Sequence, residues 1–142
     1  MLAHEVGHFK RRHVTKGMLI SLVEMGLVFL LLSIFLEHQG LFDAFSVERR
    51  SVYAGLVLFA LLLAPLAFLL SILTGMLSRK YEREADAFAV DTTGSGGPLA
   101  TALKRLSVDS LSNLTPHPLY VVLHYSHPPV CDRIHALERI SP

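Results

Sequence analysis

The run His4-Glu5-Val6-Gly7-His8 sets two imidazoles four residues apart, with a carboxylate next to the first. On an α-helix, positions i and i+4 share a face, so His4 and His8 can aim at one ion. Glu5 falls about 100° around the helix from His4, beside such an ion and not on it, where it could take a proton from an activated water. The chemistry that suits this pattern is zinc-assisted hydrolysis. With eight histidines in 142 residues, the pattern arises by coincidence at roughly the few-per-cent level, so it needs a third ligand before it is a site.

The third ligand is sought in Ser78-Arg79-Lys80-Tyr81-Glu82-Arg83-Glu84-Ala85-Asp86-Ala87-Phe88-Ala89, a run that reads as helix. Glu82 and Asp86 lie four apart and share a face, while Glu84 points elsewhere. Glu82 would then bind the metal, and Asp86 would hydrogen-bond a ligand imidazole. Taken alone, a run of alternating charge is ordinarily a solvated helix face. The presence of His4 and His8 shifts the balance toward the ligand reading.

These residues must be carried by elements that return to one place. Hydrophobic residues make up 51% of the chain, and they are concentrated. Gly17 to Leu36 holds one charge, Glu24, and Val52 to Leu77 holds none; each stretch is long enough to cross about 30 Å of hydrocarbon. Two spans, about 17–36 and 52–77, are therefore expected, the second kinked at Pro65. Glu24 should face protein, water or a cavity, not lipid. Buried helices of a soluble bundle are the alternative, but these normally keep a polar stripe, and Leu56 to Leu73 has almost none.

Flanking charge gives the expected orientation. Lys10, Arg11, Arg12 and Lys16 precede the first span, and Arg79, Lys80 and Arg83 follow the second. The loop between carries Arg49 and Arg50 against Glu37, Asp43 and Glu48, so both ends should be cytoplasmic. An even number of crossings returns the chain to the side it left, which lets Glu82 reach His4 and His8. The first apolar run is too long for a cleaved signal peptide and follows the His-Glu motif. A net charge of +1 with no basic stripe excludes nucleic acid, and the lone Cys131 excludes a disulfide within the chain.

The remainder reads as scaffold. Gly94-Ser95-Gly96-Gly97 is a turn, and Pro98 opens an amphipathic helix to about Ser107, with Leu99, Ala102, Leu103 and Leu106 on one face. Its expected partner is the metal-binding helix. Prolines between Asn113 and Pro129 predict loops with a short turn of structure. A last helix should follow, with Val130, Ile134 and Leu137 inward. His13 is expected at a membrane interface, and His117, His124 and His135 are expected to be structural.

The motif His4-Glu5-Val6-Gly7-His8, then two spans, then Ser78 through Phe88, then His124-Tyr125-Ser126-His127-Pro128-Pro129, resembles the C-terminal part of the type I CaaX prenyl endopeptidases. The resemblance implies an all-α, integral membrane zinc peptidase of gluzincin-like core, with one Zn2+ on His4, His8 and Glu82. Its Glu-x-x-Ala-Asp pattern assigns the third ligand to Glu82 and not Glu84. Asp86 would orient a ligand, and Glu5 would be the general base. It further points to His127 as a group that would stabilise the tetrahedral oxyanion or donate a proton.

Arg133 stands at the arginine of a family Glu-Arg-Ile run, with Asp132 where glutamate is usual. It would hold a ligand carboxylate or a substrate C-terminus, or form only a surface salt bridge, the outcome expected here. The implied substrate is a polypeptide, either a prenylated C-terminal peptide or another membrane-associated chain, in the bacterial inner membrane or the endoplasmic reticulum. Residues 1–142 are read as one partial domain, because the family has further spans and a substrate-binding strand before the His-Glu helix. A zinc-binding remnant acting through a partner, and a membrane quality-control metalloprotease, are the alternative functions.

Overall fold

The computed structural model describes residues 1–47 and 49–140, so the loop acid Glu48 lies outside the described residues. All regular elements among them are helical: α1 (Leu2–Lys10), α2 (His13–Glu37), α3 (Gln39–Ala44), α4 (Val52–Thr93), α5 (Gly97–Asp109), α6 (Pro118–His124) and α7 (Val130–Ile140). The chain divides into two compact units, one of Thr15–Leu70 and one of Met1–Val14 with Ser71–Pro142.

In the Thr15–Leu70 unit, the apolar stretches of α2 and α4 form helices long and apolar enough to cross a membrane. Only 6% of each span's most apolar window is buried, which sets them apart from the core helices of a soluble bundle. Met18, Leu22, Val23, Phe29, Leu61 and Leu69 are all exposed, as lipid-facing side chains would be. Inside this unit Phe35 packs on Phe42 and Phe59, and Glu24 is half-buried. Pro65 lies within α4, which runs without interruption from Val52 to Thr93. The helix ends at Gly94, whose φ of +73° is the left-handed conformation that glycine adopts at little cost.

The other unit is built around the second half of α4. Ala89 and Val90 form a core with Leu99, Ala100 and Leu103 of α5 and Leu137 of α7, and Ala3, Val130 and Ile134 pack against it. Leu103 and Leu137 are each 1% exposed, and burying a leucine contributes about 1.5–3 kcal/mol. The inward face of α5 differs from the sequence expectation. Leu99, Ala100, Leu103 and Ser107 are buried while Leu106 is exposed, because α7 and α4 flank the helix and Ala3 of the first helix touches only the edge of the cluster.

Candidate metal centre

Gly7 sets how closely α1 can approach α4. A Cβ built there would lie 3.1 Å from the Ala85 Cα, 3.2 Å from its carbonyl oxygen and 3.2 Å from a Phe88 ring carbon. Ala85 is fully buried. With no side chain on one helix and a methyl on the other, the backbones pass at contact distance, and the imidazoles of α1 reach the carboxylates of α4.

His4, His8 and Glu82 converge there, each offering a donor atom within 4.8 Å of the others. The Nε2 atoms of His4 and His8 are 3.2 Å apart. Glu82 Oε2 is 3.6 Å from His4 Nε2, and Glu82 Oε1 is 3.4 Å from His8 Nε2. Four-coordinate zinc with bonds of about 2.0–2.1 Å separates neighbouring ligand atoms by about 3.3 Å. The donor types and their spacing therefore fit a tetrahedral zinc ion with one corner left for a reactant.

Asp86 lies one turn beyond Glu82. Its Oδ1 is 2.8 Å from His4 Nδ1, within hydrogen-bond distance of this buried nitrogen. Arg133 of α7 grips both carboxylates: its Nε and Nη2 reach Asp86 at 2.8 and 2.7 Å, and Nη1 reaches Glu82 Oε2 at 3.0 Å. The Arg133 side chain is only 10% exposed, so the surface salt bridge expected from sequence is replaced by a buried double pairing. Burial alone would raise the Asp86 pKa, but hydrogen bonds with His4 and Arg133 outweigh it and hold the carboxyl below its ordinary value. Burial works against the Arg133 charge, and Asp86 and Glu82 more than compensate.

His127 sits on the segment between α6 and α7, with an exposed side chain, and its Nδ1 is 3.1 Å from Glu82 Oε1. The segment is tied to α4 by Arg79, a buried residue that donates to the carbonyl oxygens of Val121 and Tyr125. Glu5 is exposed, and its charge acts on the His8 ring. Burial lowers the His8 pKa against the opposing charge of Glu82, and His4 and His13 lower it further.

His13, the first residue of the first candidate span, makes contacts that sequence reasoning did not anticipate. It is 4% exposed, its Nδ1 is 3.2 Å from His8 Nδ1, and its Nε2 is 3.1 Å from Glu84 Oε2. Its ring stacks on Tyr81 with centroids 4.2 Å apart and planes 10° from parallel. Five residues along one helix would put His8 and His13 about 140° apart. Arg12, at φ 56°, breaks the helix between them and turns His13 back onto His8. Glu84 does point away from the donor cluster, as its spacing predicts, and it meets His13. Burial opposes the Glu84 charge, but the hydrogen bond from His13 and the charges of Lys80 and Arg11 bring its pKa below the ordinary value. Positive φ at an arginine has no local sequence signal, and so this arrangement was not legible.

Comparison with known proteins gives a consistent result. The model of peptidase family M48 matches residues 1–141. A CAAX prenyl protease 1 homolog of Oryza sativa subsp. japonica is 36% identical over 138 residues, covering 97% of this chain and 32% of that protein. The human CAAX prenyl protease 1 homolog is 34% identical over 143 residues, covering 99% of this chain and 30% of that one. CAAX prenyl protease 1 of Saccharomyces cerevisiae is 30% identical over 156 residues, covering 99% and 34%. The crystal structure of S. mikatae Ste24p superposes with a TM-score of 0.83 at 29% identity, over 96% of this chain and 35% of that one. The chain thus spans about a third of the length of the curated relatives it matches.

Proposed function

The chain belongs to peptidase family M48, and from that premise we propose that it carries the catalytic centre of a zinc-dependent membrane endopeptidase. The observation that carries this reading is the set of His4, His8 and Glu82 donor atoms spaced at 3.2, 3.4 and 3.6 Å. Those spacings match the edges of a zinc coordination tetrahedron.

Zinc held by His4, His8 and Glu82 would supply Lewis acidity to polarise a scissile carbonyl and to acidify water toward attack near neutral pH. Glu5, exposed beside His8, takes the proton of the attacking water and returns it to the leaving amine. His127 donates a hydrogen bond to the tetrahedral oxyanion. Asp86 holds His4 through Nδ1, so that Nε2 stays bare for the metal. Arg133 neutralises Glu82 and Asp86 while keeping both oriented.

The substrate is a polypeptide presented at a membrane surface. The relatives' names favour a prenylated CaaX-type C-terminus, which pairs an apolar tail in lipid with a peptide at the aqueous face. Residues 17–36 and 52–77 are the two spans of one membrane domain, with the metal centre on the cytoplasmic side.

Zinc analysis and cleavage of a prenylated test peptide by the detergent-purified protein check this reading. One zinc per chain is expected, and Glu5→Gln should keep the metal and lose cleavage by at least about 100-fold, in line with general-base loss. Full turnover by Glu5→Gln would remove Glu5 from the role. Failure of the parent protein to bind zinc would overturn the site.

A further inference from the structure

A histidine that binds a metal through one ring nitrogen almost always donates a hydrogen bond from the other, and that partner fixes the ring's tautomer and angle. For His4 the partner is Asp86. For His8 it is another histidine, and behind that one stands a carboxylate.

Resting on the proposed metal site, we propose that His13 and Glu84 are positioning residues for His8, forming a relay with one allowed proton order. If His8 uses Nε2 for the metal, Nδ1 must carry its proton. That proton points at His13 Nδ1, 3.2 Å away, so this nitrogen must be bare and act as acceptor. His13 then carries its own proton on Nε2, which is 3.1 Å from Glu84 Oε2. Each hydrogen bond dictates the direction of the next, and Glu84 sets the order from the far end.

Three further observations agree with a built device. The His13 side chain is 2% exposed while that of Glu84 is 28% exposed, so the middle ring is shielded and the terminal carboxylate stays partly hydrated. Tyr81 stacks flat on His13, which fixes the plane in which both nitrogens lie. The left-handed turn at Arg12 is unfavourable for a residue with a side chain, yet it is what brings His13 onto His8. Simple packing would require none of the matched donors and acceptors.

Histidine ring nitrogen-15 spectra of the zinc-loaded protein in detergent read the proton order directly. His13 should appear neutral with Nε2 protonated, and His8 neutral with Nδ1 protonated; His13 protonated on Nδ1 would overturn the relay. Zinc affinity by chelator competition gives a second readout. His13→Phe keeps the stack on Tyr81 and removes both hydrogen bonds, and it should weaken zinc by about 10–100-fold while stoichiometry stays at one per chain. Glu84→Leu, at a side chain 28% exposed, should weaken zinc and release the His13 tautomer. Glu84→Gln, whose amide oxygen still accepts from Nε2, should keep that tautomer. Parent-like affinity in both His13→Phe and Glu84→Leu would overturn the relay and leave the metal site standing. Absence of zinc from the parent protein would instead remove the site on which the relay rests.

Discussion

Gly7 and Ala85 meet backbone to backbone, where a methyl would be a tight fit: a Cβ on Gly7 would stand 3.1 Å from the Ala85 Cα. The glycine lies between the two histidines of one helix, and the alanine lies between Glu82 and Asp86 on the other. The crossing point and the proposed metal centre are thus the same place. Gly7→Ala adds helix propensity of about 1 kcal/mol, but its methyl meets the Ala85 backbone and shifts α1 from α4 by a few tenths of an ångström, an overpacking cost of about 1–3 kcal/mol. The donors separate as the helices do. The expected result is at least about a tenfold loss of zinc affinity, since outer-shell disturbances of this kind weaken binding by 10–100-fold. Chelator competition checks it, and unchanged affinity would mean that the crossing is not what sets the donor spacing.

Arg133 holds two buried carboxylates that would otherwise repel one another. Arg133→Gln leaves that repulsion uncompensated, and breaking a buried pair by removing one partner costs about 3–5 kcal/mol. Zinc bound at the proposed site would supply positive charge to Glu82, so thermal unfolding in detergent should show a larger loss with chelator present than with zinc present. The same network has a pH signature. The Asp86 pKa is below its ordinary 3.8 in the folded state, so the unfolded chain binds more protons, and the stabilisation is present above 3.8 and lost as pH falls through the folded value. The stability gap between the parent and Asp86→Asn, measured without metal, should therefore be full at neutral pH and close under acid. A gap that persists unchanged in acid would assign it to packing and not to charge.

Much of this centre is legible because helical periodicity is a strict rule. His4 with His8, and Glu82 with Asp86, had to share faces once their segments were helical, and the break between apolar and charged residues near Leu77 showed where α4 leaves the apolar stretch. What sequence could not supply was tertiary. Arg133 looked like a surface charge because nothing local tells that α7 lies against Glu82 and Asp86. His13, nine residues after His4, reads as an interface residue, and its contact with His8 depends on the backbone at Arg12. The buried face of α5 was shifted for a similar reason: the largest side chains marked one stripe, while the flanking helices buried the smaller Ala100 and Ser107 and left Leu106 outside.

His127 tests whether an exposed side chain at the rim acts on the reaction or on the ligand. Its Nδ1 is 3.1 Å from Glu82 Oε1, close enough to steady the carboxylate, yet its side chain is 64% exposed and so open to a substrate arriving from solvent. The two roles separate in their measurements. An oxyanion donor contributes mainly in the transition state, so His127→Ala should lower kcat by about 100–1000-fold with KM and zinc affinity close to the parent values. A ligand-steadying residue would instead weaken zinc, and added zinc would restore the rate. The anchoring of the segment by Arg79 favours the first outcome, because a carboxylate already gripped by Arg133 gains little from a second support. A ring presented to an incoming substrate, by contrast, needs the fixed backbone that Arg79 provides at Val121 and Tyr125.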